Sequence, residues 1–339
     1  MADFKELVEK QVSRRTLLKG AAIAGAAVAL PVSVRNVAAQ DTLKIAFSVP
    51  GLNFPFFVHM MDLAEAHAKE IGGIEFIRLD GQENGAPSST KQSADLEAVV
   101  SQGVNGIVIS PNDVNALAPA IQAAIDAGVQ VVTVDRNVTD ATTLAHVGAD
   151  NVEGGRAQGR YLLSILAEGA VIELQGQPGA SPAIDRHAGF DEIIKGQDKV
   201  TVAASETAEF ARAKAVSVLE SLLAANPDPK AVVCANDDMA FGAVEALADA
   251  GLTIPVIGFD ALPEALIAIN EGTMAATVEQ FPGGQAAGAL DIIVAKLRDG
   301  KDPETHDTFL VPIIISKENL AAAERAVEAG VVPAASPAA

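Results

Sequence analysis

The 339-residue sequence has no tryptophan, one tyrosine (Tyr161) and one cysteine (Cys234). A lone cysteine cannot close an internal disulfide. It lies in the apolar run 231–235 and reads as a buried small hydrophobe, not a reactive thiol. Several enzyme signatures are missing: there is no G-x-x-x-x-G-K-[ST] phosphate loop, no H-E-x-x-H, no C-x-x-C and no G-x-S-x-G. The segment 148–155 is glycine-rich but lacks G-x-G-x-x-G spacing, which argues against a dinucleotide. His59, His67, His146, His187 and His306 are scattered without metal-ligand spacing. No metal or other cofactor is expected.

Positive charge is also scarce. Lys and Arg total 24 against 44 Asp and Glu, for a net charge of −20. Residues 1–39 hold six basic and three acidic residues, so the remainder carries −23. That acidic body argues against nucleic acid as a partner, because phosphate binding needs a basic surface. Long apolar runs are missing too. The Ala-rich stretch 20–34 is short of the roughly 20 strongly apolar residues of a stable membrane span. It follows Ser13-Arg-Arg-Thr-Leu-Leu-Lys19, which resembles the twin-arginine export motif, and precedes the small residues 37–39 of a cleavage site. Residues 1–39 are therefore expected to be a twin-arginine-type signal peptide, and the mature chain a soluble periplasmic protein.

What is abundant is alternation of strand and helix. Strands are expected at 43–49, 74–79, 106–110 and 130–134, with helices at 57–71, 90–102 and 114–127 closed by glycines. The pattern restarts with helices at 152–168, 185–195, 211–225, 239–250 and 262–270. Strands fall at 170–174, 200–204, 231–235, 255–259 and 274–278. A helix at 283–299 and a strand at 308–315 follow, then a loose tail at 336–339. The fold class is α/β: two Rossmann-like lobes, each a parallel sheet flanked by helices, facing each other across a cleft.

The run Gln130-Val-Val-Thr-Val-Asp-Arg-Asn137 is a buried strand that stops at two charged residues, Asp135 and Arg136. In open α/β sheets ligands bind beyond the carboxyl ends of the strands. Other strands stop the same way. They lead into Asn53, Phe54, Phe56 and Phe57, into Arg186, into Phe210, into Asn236, into Asp260 and into Gln280. Phe rings beside planar groups with two hydrogen-bonding positions are what sugar recognition needs. The C–H faces pack on rings, and each hydroxyl both donates and accepts. Taken singly, each residue has an ordinary explanation. Asp135 and Arg136 could be a surface ion pair, Asn236 or Asp237 a helix N-cap, Phe210 a core residue and Gln280 a solvated loop residue.

From about residue 43 to 318 the chain resembles the type I periplasmic sugar-binding proteins of the ribose-binding group. The resemblance rests on Asn53-Phe-Pro-Phe-Phe57, Val134-Asp-Arg136, Gly148-Ala-Asp-Asn-Val152, Ile172-Glu-Leu-Gln-Gly176, Asn236-Asp-Asp-Met239, Gly258-Phe-Asp260 and Ala276-Thr-Val-Glu-Gln-Phe-Pro282. It implies that Phe56, Phe57 and Phe210 sandwich a sugar ring. It also implies that Asp135, Arg136, Arg186, Asn236, Asp260 and Gln280 bind its hydroxyls. Ribose binders of the family carry Asn before the Pro of the first motif. Phe54 stands there here, which opens the ligand to other pentoses, hexoses and polyols; His187, beside Arg186, is either a solvent-facing helix residue or a residue that tunes selectivity. The resemblance implies a three-crossing hinge near Ala149-Asp150, Gln280-Phe281 and Thr308-Phe309. One lobe would be 40–149 plus 281–308, the other 150–280 plus 309–335. It further implies closure of the cleft on a monosaccharide or polyol, delivery to the permease membrane subunits of an ABC importer, and a monomer.

Three other classes compete. An enzyme of glycoside hydrolysis could set Asp135 against Asp260, but Arg136 and Arg186 would hold both ionised, which suits hydrogen bonding and not proton donation. A lactose-repressor-type regulator would carry an N-terminal helix-turn-helix and a basic surface. A periplasmic sensor serving a chemoreceptor or histidine kinase would use the same cleft with a different partner.

Overall fold

The computed structural model describes residues 42–333. The expected signal peptide at 1–39 and the loose tail at 336–339 lie outside the described residues. In chain order the first elements are β1 (Leu43–Val49), α1 (Pro55–Ile71), β2 (Ile74–Asp80) and the small hairpin β3 (Gln82–Glu83) and β4 (Ala86–Pro87). Then come α2 (Ser89–Ser101), β5 (Gly106–Ile109), α3 (Ala118–Asp126), β6 (Gln130–Val134) and β7 (Ala145–Ala149). Next are α4 (Asn151–Ile165), β8 (Gly169–Gln175), α5 (Ser181–Ile194), β9 (Val200–Thr207), α6 (Arg212–Ala225), β10 (Ala231–Cys234) and α7 (Asp237–Asp249). The chain continues through β11 (Val256–Ile257), α8 (Pro263–Glu271), β12 (Thr277–Glu279), α9 (Pro282–Asp299), β13 (Asp307–Leu310) and β14 (Ile313–Ile315).

Two parallel sheets organise these elements. The first runs β13-β7-β6-β5-β1-β2 and the second β11-β10-β8-β9. Both carry helices on two faces, so the inner strands β5, β6 and β10 are buried nearly throughout, while the edge strands β2, β9 and β13 are partly exposed. In the first sheet, Phe47, Val108 and Val132 face α1 and α9, while Ala46, Ile107 and Val131 face α2 and α3. In the second, Ile172 and Cys234 face α6 and α7, while Val171 and Val233 pack with Leu162 of α4 and Phe190 of α5. Cys234 is fully buried and its thiol is pushed well up by that burial, as expected of an inert core residue.

Local chemistry sets the element ends. Pro55 opens α1, where its missing N–H costs nothing. The Ser88 side chain accepts from the Lys91 N–H at 3.1 Å and starts α2. α4 and α5 lie unusually close. A Cβ on Gly155 would strike the Arg186 carbonyl, and one on Gly189 would strike that of Val152. Both positions require glycine for that reason.

Three departures from the expected elements bear on how the sheets are built. β7 was not expected; Ala145-His-Val-Gly-Ala149 carries only one β-branched residue and a glycine, a weak strand pattern that its place between β6 and β13 overrides. The expected strand 308–315 is two. β13 pairs with β7 through Leu310, the chain passes across at Val311-Pro312, and β14 pairs antiparallel with β12. Proline cannot donate to a ladder, so the break falls there, beyond the expected Thr308-Phe309. The expected strand 274–278 is shortened to β12 and lies outside the second parallel sheet, apart from one bridge between Ile257 and Ala276.

After β14, residues 316–332 run beside the starts of α1 and α9. Leu320, Ala323 and Ala326 are buried in the core, the Glu324 N–H donates to Glu279 Oε2 at 2.9 Å, and Glu324 Oε2 accepts from the Gly283 N–H at 3.3 Å.

Candidate functional site

Every expected site residue except Asn53 lines one cavity of about 330 Å³ of space free of protein atoms. Asn53 is exposed and bonded instead to Gln82 on the β3 side. Its neighbour Phe54 takes the inward place and is buried. The strand end is the same for both, and the first turn of α1 decides which of the two turns inward. Pro182, which the sequence reading missed, also lines the cavity; a proline at a helix start reads as a capping signal and conceals a second use.

The first sheet supplies the aromatic wall and one charged pair. Phe54, Phe56 and Phe57 stand at the start of α1, with ring centroids 5.1 Å apart for Phe56 and Phe57 and 6.1 Å for Phe54 and Phe57, both edge to face. Asp135 and Arg136 follow β6 and are both buried, with Arg136 Nε 3.9 Å from Asp135 Oδ2. The Arg136 guanidinium lies 5.4 Å from the Phe57 ring centre and 5.7 Å from that of Phe210, so it bridges the rings of the two sheets.

The second sheet supplies the opposing wall. Arg186, on α5, donates from Nε to Asn151 Oδ1 at 2.8 Å and from Nη1 to the Ala235 carbonyl at 2.7 Å. It stacks on Phe259 at 3.6 Å and lies 3.6 Å from Asp260 Oδ1. Gln280 Nε2 donates to that same oxygen at 2.6 Å. Asn236 is the N-cap of α7: its Oδ1 accepts from the Met239 N–H at 2.9 Å, while Nδ2 donates to the Phe210 carbonyl at 3.3 Å. Asp237 faces the core instead, accepting from Thr277 Oγ1 at 2.7 Å and the Leu262 N–H at 2.9 Å. His187 stays outside the cavity; its ring meets the buried Glu173 carboxylate at 2.9 Å.

Two physical features mark the site. Asp135 (φ 59), Phe210 (φ 61) and Asp260 (φ 109) all hold left-handed backbone. Each such residue costs roughly 1–3 kcal/mol, and strain of this kind gathers where side-chain aim matters. Burial also dominates the ionisation of the site. Asp260 is pushed up to about 7 by burial, against the opposing pull of Arg186. Asp135 is raised for the same reason, Arg186 is lowered by burial, and Arg136 is lowered to about 10. The expectation that the arginines hold both carboxylates firmly ionised is corrected at Asp260, where burial outweighs Arg186. Among the described residues no cluster of His, Cys, Asp or Glu could hold a metal ion.

Residues 45–302 match the family model described as a periplasmic binding protein domain. The ribose import binding protein of Escherichia coli K12 is 40% identical over 259 residues, 76% of this chain and 85% of that protein. The chain belongs to the type I periplasmic sugar-binding proteins, in the ribose-binding-like group. This periplasmic binding protein is also similar to two solved structures. The Caulobacter myo-inositol binding protein bound to myo-inositol is 37% identical with a TM-score of 0.80, over 85% of this chain and 98% of that one. An ABC transporter periplasmic solute binding protein from Actinobacillus succinogenes 130z with bound D-allose is 28% identical with a TM-score of 0.75, over 81% of this chain and 98% of that one. Residues 11–31 match the twin-arginine translocation signal sequence. The binding protein is exported to the periplasm.

Proposed function

We propose that this periplasmic binding protein captures a monosaccharide or cyclic polyol between its two lobes and hands it to the permease membrane subunits of an ABC importer. The observation that carries the reading is the convergence, on one small cavity, of four Phe rings with two arginines and two carboxylates drawn from both sheets. Phe56, Phe57 and Phe210 stack on the ring faces of the ligand. Asp135, Arg136, Arg186, Asp260 and Gln280 bind its hydroxyls. Asn236 contributes through Nδ2, since its oxygen is engaged in capping α7. Relatives that bind ribose, myo-inositol and D-allose support a ligand of this size and hydroxyl density. Phe54 sets the choice among them.

The lobes divide where the chain passes between the sheets, after β7, after β12 and between β13 and β14. The ligand touches both lobes only when they are together, so its differential affinity draws the cleft shut. The protein acts as a monomer and catalyses nothing. A carboxylate titrating near 7 beside a ligand is compatible with proton donation in principle. Here, however, Asp260 is committed to Gln280 and faces Arg186, which makes it a hydroxyl acceptor.

The test is a thermal-shift panel of pentoses, hexoses, pentitols and inositols on protein starting at Gln40. A ligand at 1,000 times its Kd stabilises by about 4 kcal/mol, a large midpoint shift. We expect one class of ligand to give that shift, and Asp135→Ala and Arg186→Ala each to remove it. A flat panel, or release of a cleaved sugar from a glycoside, would overturn the reading.

A further inference from the structure

The two lobes also touch each other directly, beside the cavity and independently of anything in it. The loop between β8 and α5 meets two loops of the first sheet. Gly179 accepts from the Val114 N–H at 3.0 Å, and Ser181 Oγ accepts from the Asn137 N–H at 2.9 Å. Gln177 makes the most specific contact. Its Nε2 donates to Asn112 Oδ1 at 2.7 Å, and its Oε1 accepts from Arg136 Nη1 at 3.3 Å. The same Nη1 donates to the Asn112 carbonyl at 3.0 Å. The fit is close: a Cβ on Gly179, whose φ is +80, would strike the Asp113 carboxylate.

Arg136 therefore takes its orientation from both lobes. Asn112 belongs to its own sheet and is always at hand. Gln177 belongs to the other sheet and reaches Arg136 only when the cleft is shut. Gln177 does not line the cavity. We propose that Gln177 is a positioning residue for ligand capture: closure brings its amide onto Arg136 and aims that guanidinium at the ligand. The inference rests on the reading of the cavity as a closing sugar site. Its physical basis is that a buried guanidinium with unmet donors is costly, so the lobe that completes its hydrogen-bond set is favoured to stay. In the open protein Arg136 lacks this partner and is held from its own lobe alone; in the closed one it is fixed from two sides.

Two measurements test it. The first needs no ligand. With one dye on each lobe, single-molecule distances report the closed fraction of the ligand-free protein. Gln177→Leu, which keeps the bulk and loses both bonds, should lower that fraction about three- to tenfold, the scale of one or two net hydrogen bonds. An unchanged distance distribution would overturn the proposal, whether or not the panel above yields a ligand. The second uses the ligand identified by the panel and its single-deoxy analogues. Arg136→Lys identifies the hydroxyl that Arg136 binds, as the one whose removal makes the variant and wild type alike. Gln177→Leu should weaken binding by about tenfold for ligands that keep that hydroxyl and hardly at all for the analogue without it. Ser181→Ala, which removes a bridge to the main chain after Arg136 and leaves the bonds of the guanidinium itself in place, should weaken all of them by one common factor. A common factor for Gln177→Leu as well would reduce it to a simple strut and overturn its positioning role.

Discussion

Asp260 holds the site's most informative single charge. Its carboxyl titrates near 7 in the folded protein and near 3.8 when unperturbed. Between those values the folded chain keeps a proton that the unfolded chain has released, so stability falls as pH rises across the window. Glu279, pushed up to about 7 by burial, acts in the same direction. We expect the unfolding free energy of the protein, measured with urea, to fall from pH 5 to pH 7.5, and Asp260→Asn to flatten part of that slope. A slope unchanged by Asp260→Asn would exclude this carboxyl as its source. Phe54 governs selectivity at the same scale. Its ring is buried edge-on to Phe57, and Phe54→Asn trades that contact for an amide. The variant should gain affinity for ribose relative to the wild type's own ligand, by calorimetry, while losing about 1–3 kcal/mol of stability. Residue types were legible in the sequence because strand ends in a parallel sheet converge on the ligand crevice. Their directions were not. Asn53 and Phe54 are neighbours, and only the geometry of the first turn decides that the ring goes in and the amide goes out. Ionisation was not legible either, since it follows from burial more than from the nearby arginines.

Among the elements, the crossing of α4 and α5 decides where Arg186 sits. Gly155 and Gly189 remove the two side chains that would hold the helices apart. A methyl at Gly155 presses on the Arg186 carbonyl itself, so it displaces the guanidinium at the far end of that residue. Gly155→Ala should cost about 1–3 kcal/mol by overpacking and weaken ligand binding, although the residue touches no ligand; unchanged affinity would show that α5 can yield without moving Arg186. Most elements were legible from apolar runs closed by glycines. β7 was not, because a strand buried between β6 and β13 needs little β propensity of its own. The strand expected at 308–315 was misread because its apolar run is continuous while its partners change at Pro312.

Across the whole molecule, the proposed closure would link the cavity, the Gln177 bridge and the crossings between the lobes. The segment 316–332 lies against one of those crossings: Glu324 binds the Glu279 side chain and the Gly283 N–H on either side of Gln280 and Phe281. Removing residues after Lys317 should therefore weaken ligand binding and lower the thermal midpoint, though it deletes no ligand contact. Retention of full affinity would show that the hinge holds its shape unaided. For anyone turning this protein into an optical reporter, the consequence is practical. A fluorescent module spliced between residues 316 and 332 would prise at the joint that carries Gln280 and register its own presence as a loss of signal. The exposed turn at Asn84-Gly85, outside that joint, is the sounder point of attachment.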